Sequence, residues 1–240
     1  MSTSENRGKY SIFCAHALLA SVSLLAMTHF AASQTAIGAA STVENEVNGV
    51  RRGASARLGA GDDVFQSEVI RTGAASLARL KLIDNTNVSI AASSQLVLDK
   101  FVYNGDQTAS NVAFNAAKGG FRFVSGNSPS AAYKVVTPAA VIGVRGTTYD
   151  VQVAGALTNV VLIAGAANVC VRGTAKCVAL TQTCQSVTLT RAGFVVPAPG
   201  AKIWSFDGTC SFAANPYRSD PPLGNGAATP SPPPSSSYPP

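Results

Sequence analysis

In the stretch SLARLKLID, residues 76–84, Ala78, Leu80 and Leu82 fall on one side of an extended chain and Arg79 and Lys81 on the other. Side chains change face at every residue only in a strand, whereas an amphipathic helix repeats every 3.6 residues. A repeat of two therefore commits the segment to a half-buried strand. The same habit recurs along the chain after residue 34. The turn DNTN, Asp84 to Asn87, leads into NVSIA, and QLVLDKFVY sets Leu96, Leu98 and Lys100 against Val97, Asp99 and Phe101. NVAFNAAKGGFRFVSG reads as two short strands around Gly119-Gly120, and LTNVVLIAG, ANVCVRG, KCVALTQ, QSVTLTRAG and FVVPAPG follow at regular spacing. Only AGDDVF hints at a helical turn. Many short strands with turn residues at intervals of about eight to twelve predict an all-β sandwich, barrel or solenoid.

The two ends differ from this pattern. Arg7 and Lys9 precede an uncharged stretch from Ser11 to Ala32, and Ala31-Ala32-Ser33 supplies small residues ahead of Gln34. A basic start, an apolar centre and small residues at the cut describe a secretory signal peptide cleaved after Ser33. The rival reading is an uncleaved anchor, since the uncharged stretch is long enough to span a bilayer. Either way the expected location of residues 34–240 is periplasmic or secreted. At the other end, residues 214–240 (ANPYRSDPPLGNGAATPSPPPSSSYPP) are rich in Pro and Ser and poor in aliphatic residues. Such a segment buries too little apolar area to offset chain entropy, so a disordered tail is expected.

Removing Arg7, Lys9 and Glu5 with the leader leaves 16 Lys/Arg against 11 Asp/Glu, a net +5 scattered along the chain. Nucleic-acid binders gather their cations on one face or helix, and no such run exists here. Both histidines, His16 and His29, lie in the leader, so the processed chain holds none. That excludes Ser-His-Asp, Cys-His and His-metal arrangements together. Cys14 also leaves with the leader. Cys170, Cys177, Cys184 and Cys210 remain, an even number for an oxidising compartment, at spacings unlike those of a zinc site. Two disulfides are expected. Three pairings exist on paper; the hairpin-like VRGTAK between Cys170 and Cys177 favours Cys170–Cys177 with Cys184–Cys210.

The run KVVTPAAVIGVRGTTYDVQV, Lys134 to Val153, breaks its alternation at Thr137-Pro138, Gly143 and Gly146. A Walker loop would need a lysine after the second glycine and a helix behind it, and a nucleophile elbow would need a serine and a distant histidine. Neither fits. A backbone explanation remains: Pro138 ends a strand or lies at an edge, and Gly143 and Gly146 permit a bulge or corner that sends AVIG and TTYDVQV to successive rungs. Arg145, between the glycines, carries five donors and is expected to tie carbonyls or a carboxylate such as Asp150 or Asp84 in place.

TPAAVIGVRGTTYDV resembles the signature of FecR-type domains, the periplasmic regulators named after ferric-citrate signalling. GDDVFQSEVIRTGAASLARLKLIDNTNVSIAASSQLVLDKFVY is similar to the upstream part of that domain, and KGGFRFVSG to the pair before the signature; together they cover residues 45–165. The resemblance implies an all-β, solenoid-like or sandwich-like FecR-type domain, with Thr137, Pro138, Gly143, Arg145, Gly146 and Thr147 as structural signature residues. It also implies a relay between an outer-membrane transducer and a cytoplasmic sigma-factor-binding segment. About nine residues precede the apolar leader here, too few for such a helix bundle, so the extracytoplasmic module alone is expected.

The resulting map has a signal peptide at 1–33, a FecR-type β domain at 45–165, a β extension with four cysteines at 166–213 and the tail at 214–240. The expected function is non-enzymatic binding of a protein partner in the cell envelope by strand addition, with no cofactor, no nucleic acid and no membrane contact beyond an uncleaved leader. The alternative is a structural or cell-wall-associated envelope protein. Asp62, Asp63, Glu68 and Asp84 are the carboxylates an enzyme reading would need; the aspartates fall at turns, where Asp is common for local hydrogen-bonding reasons.

Overall fold

The computed structural model describes residues 34–214; the expected signal segment and all but Ala214 of the expected tail lie outside the described residues. The strands in chain order are β1 (Ala36–Glu44), β2 (Val47–Arg51), β3 (Ala54–Arg57), β4 (Asp63–Phe65), β5 (Val69–Thr72), β6 (Leu77–Leu82), β7 (Asn87–Ile90) and β8 (Gln95–Gly105). After these come β9 (Thr108–Val124), β10 (Tyr133–Val136), β11 (Ala140–Ala154), β12 (Leu157–Val171), β13 (Cys177–Leu180), β14 (Ser186–Leu189) and β15 (Phe194–Val195). Among the described residues the one helical element is a 3-10 turn at Ser130–Ala132, and no helix is long and apolar enough to cross a membrane. The protein is all-β. AGDDVF contains no helix: Asp63 opens β4 instead.

Alternation decides the faces. Ala78, Leu80 and Leu82 of β6 are buried, while Arg79 and Lys81 are exposed. One expected alternation reverses part-way. In β8, Leu96 and Leu98 point inward as expected, but the pairing with β9 slips between Val97 and Lys100, so Phe101 is 6% exposed and Lys100 faces water. A bulge adds one residue to one strand and flips every side chain beyond it. The turn between β8 and β9 is better behaved. Gly105 pairs with Thr108 around Asp106 and Gln107, whose φ values of 51° and 55° match the doubly left-handed two-residue hairpin loop.

All the strands join one open sheet. Its three longest members each change neighbours along their length. The first part of β9 pairs with β8 and, in parallel, with β10; its last part pairs with β7 and β11. β11 runs beside β10 at its start and beside β9 at its end. β12 supports β13 near its end and β14 near its start. The sheet therefore has two wings. One holds β3, β2, β5, β8, β10 and β13; the other holds β4, β1, β6, β7, β14 and β15; and β9, β11 and β12 run through both. The wings enclose a common core: the rings of Phe114, in the first wing, and Phe123, in the second, have centres 5.4 Å apart, and Phe123 stacks on Tyr149 at 5.4 Å.

Two expectations change in detail. NVAFNAAKGGFRFV is one strand and not two, and AVIG and TTYDVQV are halves of one strand and not successive rungs. A glycine sits at every crossing between wings: Gly119 in β9 at φ 103°, Gly146 in β11 at φ 55° and Gly165 in β12 at φ 84°. The boundary expected between residues 165 and 166 falls inside β12, which is continuous from Leu157 to Val171.

Candidate functional site

The signature begins in the turn from β10 to β11. Thr137 is fully buried, and its Oγ1 accepts from the backbone N–H of Ala140 at 2.8 Å and of Ala139 at 3.3 Å, while contacting Thr158 Oγ1 at 2.8 Å in the opposite wing. Pro138 follows, with φ preset for a turn and no N–H to leave unpaired. The three turn carbonyls are also occupied. Arg172 donates to Thr137 O and Ala139 O through Nη1 and its backbone N–H, and Arg191 Nε donates to Pro138 O at 3.4 Å. β10 ends here as expected, but it lies between β9 and β11 and not at an edge.

At the crossing, Thr147 ties β11 to both neighbours. Its N–H donates to Ser125 Oγ at 2.8 Å, its Oγ1 donates to Ala166 O at 2.6 Å, and its carbonyl accepts from Ser125 N. Gly146 and Gly165 need glycine for different reasons. A Cβ on Gly146 would meet nothing within 4 Å, so only its positive φ demands glycine. A Cβ on Gly165 would run into the Gly146 carbonyl and lie 2.9 Å from Thr147 Cα. Gly143 has neither constraint.

Arg145 does not play the expected part. It is exposed at the crest of the bend, and its side chain makes no hydrogen bond or ion pair among the described residues. Both carboxylates expected to meet it are engaged elsewhere. Asp84 is fully buried and accepts from Thr86 N at 3.0 Å, Thr86 Oγ1 at 2.9 Å, Ser128 Oγ at 2.6 Å and Tyr133 Oη at 3.1 Å. Asp150, also fully buried, is gripped by Arg122, from Nε at 2.7 Å and Nη2 at 2.9 Å.

Arg122 is the residue that sequence reasoning missed. It stands between Phe121 and Phe123 on β9 and so points away from the core, directly opposite Asp150 on β11. Its guanidinium also holds Asp207, which arrives on the segment Ala201–Ala213. That segment doubles back on itself through a bridge between Lys202 and Phe212 and a bond from Ile203 N to Ser211 O. Phe206 N donates to Asp150 Oδ2 at 2.8 Å, and a Cβ on Gly120 would sit 2.8 Å from the Trp204 ring. The segment is thus a strap across the outer face of β9 and β11. Hydrogen bonds from Arg122 hold the Asp207 carboxyl well below the usual carboxylate range, and the hydrogen bonds to Asp150 first, then those to Asp207, raise the Arg122 pKa further. The FRF alternation could have placed Arg122 on the outer face. Its opposition to Asp150 depends on a register that no local pattern encodes.

The cysteines form two bonds. Cys170 and Cys177 lie opposite each other in the β12–β13 pair and are joined; Cys184 is joined to Cys210 at the root of the strap. Of the remaining candidate carboxylates, Asp62 and Glu68 serve the backbone locally, and the exposed Asp63 makes no side-chain hydrogen bond among the described residues. Asp62 Oδ2 accepts from Gly59 N at 2.7 Å. Glu68 is buried, accepts from Phe65 N at 2.9 Å and lies 3.9 Å from Arg51; burial raises its pKa. No group of three or more His, Cys, Asp or Glu suited to a metal exists among the described residues. Large apolar side chains are exposed at Val102-Tyr103, Leu157 and Phe212, and three in succession at Phe194–Val196, on the short end strand β15 and the residue after it, where Val195 is 69% exposed.

A family model described as FecR protein matches residues 68–188, half of the chain, from the entrance of β5 into β14. Two crystal structures of a proposed anti-sigma factor from Parabacteroides distasonis, at 1.65 and 2.50 Å resolution, are similar at 15% identity and a TM-score of 0.42. The similarity covers 53% of this chain and spans 57% of the length of those chains. Comparison with curated proteins gives no match.

Proposed function

This chain belongs to the FecR family, and from that premise we propose that it is a non-enzymatic, extracytoplasmic module that docks a protein partner in envelope signalling. The observation that carries the reading is how the matched residues are used. Thr137, Pro138, Gly146 and Thr147 all serve backbone geometry, while the charged member of the signature, Arg145, is presented to solvent. What such a surface can offer a partner is shape, charge and strand edges. β15 is an end strand with Phe194, Val195 and Val196 exposed, a place where an extended segment can add to the sheet through main-chain hydrogen bonds.

Export through residues 1–33 belongs to the same proposal and is supported by the two disulfides, since such bonds persist outside the reducing cytoplasm. Residues 45–213 act as one body. The test is co-purification from the periplasm of cells carrying the wild-type chain or Val195→Lys. An envelope protein retained by the wild type and lost with the variant is expected, because a charge at the edge opposes strand addition. Recovery of the same proteins with both chains, or of none at native abundance, would defeat the proposal.

A further inference from the structure

We infer that the strap Ala201–Ala213 is an internal occupant of a second docking surface, a shelf formed by Gly120, Arg122 and Asp150, and that the partner suited to this shelf is a peptide segment carrying an aromatic ring and a carboxylate. The inference deepens the partner-binding reading above by naming a site and a chemistry. Four observations on the shelf carry it. Gly120 presents bare backbone, against which the Trp204 ring lies so closely that a Cβ there would be 2.8 Å from it. The Arg122 guanidinium already neutralises Asp150 on one side and reserves its other side for Asp207 of the strap. Asp150 Oδ2 accepts a main-chain N–H, from Phe206. The strap meets these features through Trp204-Ser205-Phe206-Asp207, so the chain itself displays the complementary sequence.

The strap is also built to be released without unravelling the sheet. Its pairing runs within itself, through Lys202 and Phe212 and through Gly200 N to Ala213 O, and not into the ladder of β9 or β11. Besides the chain itself, which joins it to β15 through residues 196–200, its covalent hold on the body is Cys184–Cys210. A dithiol reductant opens that bond by exchange: one thiolate attacks a sulfur, the second resolves the mixed disulfide, and the reductant leaves as a disulfide with Cys184 and Cys210 as thiols. While the bond is closed the strap is tethered at both ends, which raises its effective concentration on the shelf above that of a strap held by the chain alone and excludes a competitor. Once it is open, a segment of the same chemistry can take its place.

The probe is a fluorescein-labelled synthetic peptide of residues 201–213 carrying Cys210→Ser, followed by anisotropy against the full-length protein. The receiving protein is the full chain with Cys184→Ser, Cys210→Ser and Asp207→Asn, which unties and weakens the strap but leaves Arg122 and Asp150 paired. The peptide is expected to bind this variant and not the oxidised wild type, and to bind about tenfold more weakly when its own Asp207 is Asn, as loss of a charge-assisted bond requires. Trp204 is the sole tryptophan of the chain, so its emission in the unlabelled variant reports strap release directly and should shift to the red. No binding to a variant that keeps its far-UV circular dichroism would overturn the inference. So would equal binding to the oxidised wild type, or collapse of the whole sheet when the bond is removed. These failures leave the Val195→Lys experiment untouched, so the two readings fall separately.

Discussion

Glycine at a crossing can be needed for its backbone angle or for its missing side chain, and the two needs separate in β11 and β12. Gly146 has open space around it and a φ of 55°; Gly165 has a φ of 84° and a neighbouring backbone in the way. We therefore expect Gly146→Ala to cost about 1 kcal/mol, the usual strain of a left-handed non-glycine residue, and Gly165→Ala to cost clearly more, since backbone must move as well. Urea denaturation of both variants checks the order, and equal losses would mean that crowding at Gly165 is relieved elsewhere. The positions of these residues were partly legible in advance. Thr137-Pro138 announces a turn through its chemistry, and Gly146 announces a corner. The role of Arg145 was not legible: a cation beside two glycines says nothing about which distant carboxylate it meets. The charge that grips Asp150 comes from Arg122, and only the pairing of β9 with β11 brings them together.

Strands were readable as strands, but their lengths were not. A local alternation stops at a glycine whether the chain turns back there or merely bends, so β9, β11 and β12 looked like pairs of short segments. Bulges hide in the same way: the slip between Val97 and Lys100 turns Phe101 inward, against the face its spacing suggested. The strap was the least legible element, because its hold is electrostatic and covalent and it has almost no periodicity. That hold makes it sensitive to acid. Asp207 is kept ionised by Arg122 below the ordinary carboxylate range, so its stabilisation is complete above the unfolded value near about 4 and is lost as pH falls through its lower folded value. Melting temperatures of the oxidised protein measured downward from about pH 5 should fall more steeply for the wild type than for Asp207→Asn. Parallel acid limbs would show that the contact is too solvated to matter.

At the scale of the whole molecule, three strands belong to both wings, so neither wing owns a complete set of neighbours. A chain ended at residue 165 keeps the expected FecR-type stretch but loses the second part of β12, the partner of the first part of β11, together with β13, β14 and β15. We expect that truncated chain to show no cooperative thermal transition by circular dichroism; a sharp one would mean that the first 165 residues fold alone. The all-β class was plain from the sequence, whereas the wings were not, because they depend on which distant segments pair. The parallel contact of β9 with β10 has one more outcome. To start β10 beside the middle of β9, the link from Ser125 to Ala132 must return along the end of the sheet, where Asn127 N and Ser128 Oγ are bonded to Asp84 and a Cβ on Gly126 would strike the same turn. A laboratory wishing to graft an epitope or a fluorescent reporter should therefore avoid that link and choose the open hairpin at Asp106-Gln107, where added sequence has room to loop outward.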